Sequence, residues 1–311
     1  MPRMTNTERR IAALSTGQLG AFSRAQATDA GLSNRQLRSR VRSGSLVQTG
    51  PNSFRVAGAP TSLRSQLVEL LLDVGDPVWV CGPTAAALYG FSGFTLRRPF
   101  HIVLDIERNV RRNGAVIHRS ERLEPVDREQ FDEIPITSPT RTLIDLARHA
   151  SPAQLDQAIE HAFAEHLVSE DHLHRRIAAL RSKGRFGIPL LLSVLERREI
   201  TRGGESWLER EYLRLLHRAG VSAPETQVVL AHTGDHAVRV DCFFAGTNVV
   251  VELLGYRFHR TKSQMNRDAA RHNALLSAGK LVYQFTYEQV TTTADMVVEH
   301  TRAALYRAQA A

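Results

Sequence analysis

Residues 239–259 read Arg239-Val240-Asp241-Cys242-Phe243-Phe244-Ala245-Gly246-Thr247-Asn248-Val249-Val250-Val251-Glu252-Leu253-Leu254-Gly255-Tyr256-Arg257-Phe258-His259. Two runs rich in β-branched and aromatic residues, 238–244 and 249–254, flank Ala245-Gly246-Thr247-Asn248, which is the pattern of a hairpin closed by a short loop. In that register Asp241 faces Glu252. Directly opposed residues of an antiparallel pair have Cβ atoms roughly 4.5–5.5 Å apart, where like charges repel. A divalent cation, Mg²⁺ or Mn²⁺, bridging the two carboxylates offsets that cost, because such ions are held by one or two carboxylates plus phosphate oxygens. The alternative is a solvent-facing pair of acids matched by Arg239 or Arg257.

Around the hairpin the pattern predicts a helix over 206–219, a strand over 226–231, a helix over 264–278, a strand over 280–286 and a last helix to about Arg307. This α-β-β-β-α-β-α order resembles the core of the PD-(D/E)xK nucleases. More narrowly, Ser206-Trp207-Leu208-Glu209, Val240-Asp241, Val251-Glu252, Gly255-Tyr256, Phe258-His259, Arg267-Asp268 and Arg271 resemble the branch related to very-short-patch-repair (Vsr) endonucleases. The resemblance implies that Asp241 and Glu252 are metal ligands, that Glu209 is a third acid, and that His259 positions or deprotonates the attacking water. The chain departs from that family at Leu254, where Glu-x-Asp-Gly is common and this sequence has Glu252-Leu253-Leu254-Gly255; the family's lysine is absent there too. Arg267 and Arg271, one turn apart on the expected helix, are placed either to hold backbone phosphates or to form a solvated face beside an Asp268–His272 pair.

With 311 residues and 42% hydrophobic content the chain can bury more than one core, and its length predicts two or three domains. No window approaches the roughly 18 apolar residues of a membrane span, and the first residues lack the apolar core of a secretory signal, so a cytoplasmic protein without membrane contact is expected. Cys81 and Cys242 both sit in apolar strand-like runs in different expected domains, which argues against a disulfide framework or a zinc site. The formal net charge of +8 and a pI near 10.0 favour a polyanionic partner.

At the other end of the chain, Ser33-Asn34-Arg35-Gln36 is a capping box, and Leu32 and Leu37 occupy the positions of a hydrophobic staple. Along the helix that starts there, Leu37 and Val41 face inward, while Arg35, Arg38 and Arg42 form a basic stripe on another face. The following Leu46–Val56 run reads as two short strands about a Gly50-Pro51-Asn52 turn, the shape of a wing. Residues 1–58 therefore predict a winged helix-turn-helix that reads double-stranded DNA through Arg35, Arg38 and Arg42, with a protein-contact module as the alternative.

Residues 61–200 predict a mixed α+β middle region that turns helical toward its end. Together with the winged helix, Gly82-Pro83-Thr84-Ala85-Ala86-Ala87-Leu88-Tyr89-Gly90 and Ser138-Pro139-Thr140-Arg141-Thr142-Leu143-Ile144-Asp145-Leu146-Ala147 resemble AbiEi-type antitoxins, which implies promoter binding, autoregulation and a cognate toxin. His161, His166, His172 and His174 are dense, but their spacing matches no zinc template. Two glycines, Gly203 and Gly204, predict a boundary before a third domain at 204–311.

The expected whole is a multidomain α/β protein: a winged helix-turn-helix, a mixed middle region and a restriction-endonuclease-like α/β core. Its expected function is DNA binding joined to metal-dependent phosphodiester hydrolysis. A non-catalytic transcriptional regulator or antitoxin, from a toxin-antitoxin or phage-defence system, is the alternative that Leu254 favours.

Overall fold

The computed structural model describes residues 5–121, 123–181, 187–202, 205–233, 236–255 and 262–310. The chain is a mixed α/β protein whose described residues form three separate sheets. It divides into two compact units, residues 1–146 with 157–167, and residues 147–156 with 168–311.

The first unit opens with α1 (Asn6–Gly17), β1 (Ala21–Ser23), α2 (Arg24–Asp29), α3 (Asn34–Arg42), β2 (Leu46–Gln48) and β3 (Ser53–Val56), and the strands form a small antiparallel sheet in the order β1-β3-β2. Each of its three helices starts at a hydroxyl N-cap, Thr5, Ser23 and Ser33, closed by the reciprocal bond from the third helical residue. Leu32 and Leu37 are buried with Phe22 and Phe54 in one core, so the staple inferred from the sequence fixes the entry into α3.

A five-stranded sheet follows. Its elements are α4 (Leu63–Val74), β4 (Trp79–Val80), α5 (Gly82–Leu88), β5 (Phe100–Asp105), β6 (Ala115–Ser120), β7 (Arg128–Phe131), β8 (Ile134–Thr137) and α6 (Pro139–Leu146), with strand order β6-β5-β4-β8-β7. Leu67, Leu70, Leu71 and Val74 of α4 pack on Val80, Phe100, Ile102, Leu104 and Ile136 of this sheet. The helix α7 (Pro152–Ala164) comes next.

The second unit contains α8 (Glu170–Leu180), α9 (Ile188–Arg202), α10 (Trp207–Arg218), β9 (Glu225–Thr233), β10 (His236–Phe243), β11 (Val249–Leu254), α11 (Lys262–Ser277), β12 (Leu281–Thr286), α12 (Tyr287–Thr292) and α13 (Ala294–Gln309). Its sheet has the order β12-β11-β10-β9; β9, β10 and β11 run antiparallel in succession, and β12 lies parallel to β11. Four successive buried residues, Val249 to Glu252, mark β11 as a central strand.

Two features differ from the sequence expectation. The last helix is broken: Thr286 opens α12 with its own capping box, and α13 starts after Thr293, where β-branched threonines at 291–293 disfavour continuation. The helices α8 and α9, expected to close a domain at residue 200, belong to the unit that carries the C-terminal sheet. The bonds that hold α8 there are specific: Asp171 accepts from the Trp207 indole N–H at 2.8 Å and from Arg214 at 2.9 Å, and Glu170 accepts from Arg210 at 2.6 Å. Cys81 and Cys242 are both buried and unbridged. Among the described residues no helix is long and apolar enough to cross a membrane.

Candidate functional site

The β10–β11 hairpin pairs Cys242 with Val251 and Phe243 with Val250, and the Phe244 N–H continues the ladder to the Val249 carbonyl at 3.1 Å. One step further in the same register sets Asp241 opposite Glu252, as the sequence predicts. The row extends across the whole sheet. On β9, Val228 and Thr226 pair with Val240 and Cys242, so Gln227 stands beside Asp241, and on β12 Gln284 pairs with Glu252. A polar row, Gln227–Asp241–Glu252–Gln284, therefore crosses all four strands of the sheet.

Each acid in this row has a partner. The Asp241 carboxylate accepts from the Leu253 N–H across the strand pair at 2.7 Å. Glu252, only 7% exposed, accepts from the Arg271 guanidinium of α11 at 2.6 Å. Arg271 also donates to the carbonyl oxygen of Arg239. Burial pushes the Glu252 carboxyl up to about 7; Arg271 opposes the shift, while Asp241 and Asp268 reinforce it. Glu209, in the first turn of α10 behind the Ser206 N-cap, is buried and accepts from the Gln227 amide at 3.0 Å. Its pKa is also raised, first by burial and further by Asp241. Gln227 holds a left-handed backbone (φ 56°), uncommon for a side chain other than glycine or asparagine, at the point where it serves Glu209.

The hairpin thus brings Asp241 and Glu252 together, and the charge of Asp241 acts on Glu209. The three do not form a group of ligand atoms all within 4.8 Å of one another, whereas Glu170, His174 and Glu199 do. Arg271, expected to face phosphate, is turned onto Glu252 and thereby takes the role that Arg239 or Arg257 was expected to fill. His259, Arg257 and the side chain of Arg267 lie outside the described residues. Leu254 ends β11 half-buried, and no ionisable side chain stands in its place.

In the first unit, Arg35, Arg38 and Arg42 are exposed along α3, while Arg40 on the same helix is half-buried and 3.4 Å from Glu8. Arg24 lies 5.0 Å over the Phe54 ring and donates to Asn34 and to the Pro51 carbonyl, tying the start of α3 to the β2–β3 turn. The Ser138–Ala147 motif proves to hold a buried ionic network: Arg141 donates to Asp127 at 2.8 Å and to Asp145 at 2.9 Å, with both partners of the first bond almost wholly enclosed.

Two groups of acids went unnoticed in the sequence. Glu196 of α9 approaches Gly255 so closely that a Cβ there would collide with its carboxylate. The other group is Glu170, His174 and Glu199, where His174 had been set aside because no histidine spacing fits a zinc template. Its neighbours are carboxylates, one of them on the next helix, and a spacing template cannot find them.

No family model matches the chain, and no curated protein matches it. Among solved structures it is similar to the crystal structure of RV2827C protein from Mycobacterium tuberculosis, with 16% identity and a TM-score of 0.46 over 76% of this chain and 89% of that one.

Proposed function

We propose that this protein binds double-stranded DNA through its first unit and hydrolyses phosphodiester bonds at Asp241 and Glu252 in its second. The observation that carries the reading is the placement of Asp241 opposite Glu252 in one row across the sheet, with Glu209 joined to the same row through Gln227. The Asp241 charge helps to raise the pKa of both Glu252 and Glu209, Asp268 adds to the shift of Glu252, and Arg271 bridges to Glu252. Carboxylates set directly opposite one another suit a divalent cation, Mg²⁺ or Mn²⁺, because a shared ion offsets their mutual repulsion.

Asp241 and Glu252 would hold the ion, and Glu209, oriented by Gln227, would add negative charge behind Asp241. Bound there, a divalent cation supplies Lewis acidity toward a phosphoryl oxygen and a water of lowered pKa. The Leu253 N–H fixes one Asp241 oxygen and so orients the carboxylate. Arg271, once released from Glu252, presents a planar fork suited to a phosphate. His259 is the proposed proton acceptor, a role that rests on the nuclease resemblance. The order α10-β9-β10-β11-α11-β12 with its mixed sheet supports a restriction-endonuclease-like core, and the α1-to-β3 order with its three-stranded sheet supports a winged helix.

A second reading has its own support. Leu254 and the Arg271–Glu252 bridge are what a regulator or antitoxin without catalysis would retain, with a cognate toxin as its partner. Plasmid nicking in Mg²⁺ or Mn²⁺ separates the two. The nuclease reading expects cleavage by the parent and its loss in Asp241→Asn and Glu252→Gln. DNA retention by the parent without cleavage in either metal, and with no metal-induced rise in melting temperature, selects the regulator.

A further inference from the structure

Away from the sheet row, α8, α9, α10 and α12 enclose a second group of potential ligands. Glu170 and His174 stand one turn apart on α8, so they share a helix face. Glu199 comes from α9, and one ligand atom from each of the three lies within 4.8 Å of the other two. His174 is 4% exposed, and its Nε2 is buried with no hydrogen-bond partner. Buried polar atoms are rarely left in this state.

The outer contacts of the three residues share a pattern. The Tyr287 hydroxyl lies 3.0 Å from His174 Nδ1 and can donate to the His174 carbonyl oxygen at 3.5 Å, which leaves the hydroxyl oxygen to accept from Nδ1–H. That arrangement fixes the tautomer whose Nε2 carries the lone pair. The Trp207 indole stacks on the imidazole at a centroid distance of 4.0 Å and 8° between planes, holding the ring in place. The Trp207 backbone N–H donates to one Glu199 oxygen at 2.7 Å, and Arg210 donates to one Glu170 oxygen at 2.6 Å. Each residue is thus anchored through one polar atom and keeps a second, which is how outer partners orient the ligands of a metal.

We propose that Glu170, His174 and Glu199 form a zinc site that ties α8 to α9, separate from the Asp241–Glu252 row. One imidazole nitrogen with two carboxylate oxygens suits Zn²⁺, whereas Mg²⁺ and Ca²⁺ take oxygen ligands. Bonds of about 2.0–2.2 Å place tetrahedral ligands roughly 3.3–3.6 Å from one another, so ligand atoms already within 4.8 Å of each other need close by at most about 1.5 Å on binding. Three protein ligands leave a fourth position for water.

The test uses the full chain, stripped with a chelator and dialysed against ZnCl₂, with bound metal counted by native mass spectrometry and melting followed by scanning fluorimetry. The parent is expected to bind one Zn²⁺ at this site and to melt at a higher temperature with it. Glu170→Gln keeps an acceptor for Arg210, and Glu199→Gln keeps one for the Trp207 N–H; each should weaken Zn²⁺ binding at least tenfold while leaving the metal-free melting temperature close to the parent's. Asp241→Asn should keep the ion. Trp207 fluorescence, read in a Trp79→Phe background, should change with Zn²⁺ in the parent and not in Glu170→Gln. The proposal is overturned if the parent binds no Zn²⁺, if both glutamine variants bind it as the parent does, or if Asp241→Asn abolishes binding. The last result would move the ion to the sheet row without touching the nuclease reading.

Discussion

The basic stripe of α3 gives the sharpest quantitative expectation. Replacing Arg35, Arg38 and Arg42 together by alanine removes three exposed guanidinium groups and leaves the helix its Ser33–Gln36 capping box and its buried Leu37. Alanine is at least as good a helix former as arginine, so the element should persist. If each arginine neutralises one phosphate, each contributes about 0.9 to the slope of log affinity against log salt, and the triple variant should be shallower by about 2.7. Between about 50 and 200 mM salt this corresponds to about a 40-fold smaller loss of affinity than in the parent. Arg40→Ala is the internal control: that side chain is half-buried beside Glu8 and should change the slope by much less than one phosphate's worth. Fluorescence anisotropy with a labelled duplex across a salt series measures both slopes. Parallel lines for parent and triple variant would refute the assignment of α3 as the element that meets DNA.

Three further expectations concern the framework. Arg141→Ala takes the guanidinium away from the enclosed Asp127 carboxylate and should cost about 3–5 kcal/mol in urea denaturation, since a buried charge loses its counter-ion; a loss below about 1 kcal/mol would show the network to be dispensable. Burial raises the Glu69 pKa above 4.5 in the folded chain, with Arg55 opposing. The folded state therefore holds that proton more tightly than the unfolded one, and the stability it contributes is full below pH 4.5 and lost as pH rises through the folded pKa. The stability of Glu69→Gln relative to the parent should accordingly improve as pH rises through that window, and a pH-independent difference would contradict the shift. Because Trp207 and Tyr287 pack on His174, a fragment of residues 204–311 should melt well below one spanning 168–311, and equal melting temperatures would restore the boundary at Gly203–Gly204.

What the sequence revealed and what it hid divide along a physical line. The Ser33 cap and the Asp241–Glu252 register were legible because each is set by neighbours in the chain: a hydroxyl three residues before a glutamine, and two β-branched and aromatic runs about a four-residue loop. The β7–β8 hairpin was not, because its turn residues, Asp132 and Glu133, hold φ of 45° and 64° without the Asn-Gly or Asp-Gly signal of such turns. Arg271 shows the limit more directly. Its spacing from Arg267 fits a phosphate-facing pair equally well as it fits a partner for Glu252. The choice falls to Glu252 because a carboxylate made 7% exposed by its own strand draws the nearest guanidinium, and burial is not written in spacing. The same reasoning explains why the surroundings of His174 left no signal in the sequence. Templates count intervals along one chain, while the ligand field of a buried imidazole is assembled by helix packing, here from Glu199 on α9 and from Tyr287 on α12. Acids whose partners come from distant elements, at the sheet row and at His174 alike, are therefore the places where structure adds most to the functional reading, and where single isosteric glutamine or asparagine substitutions are most informative.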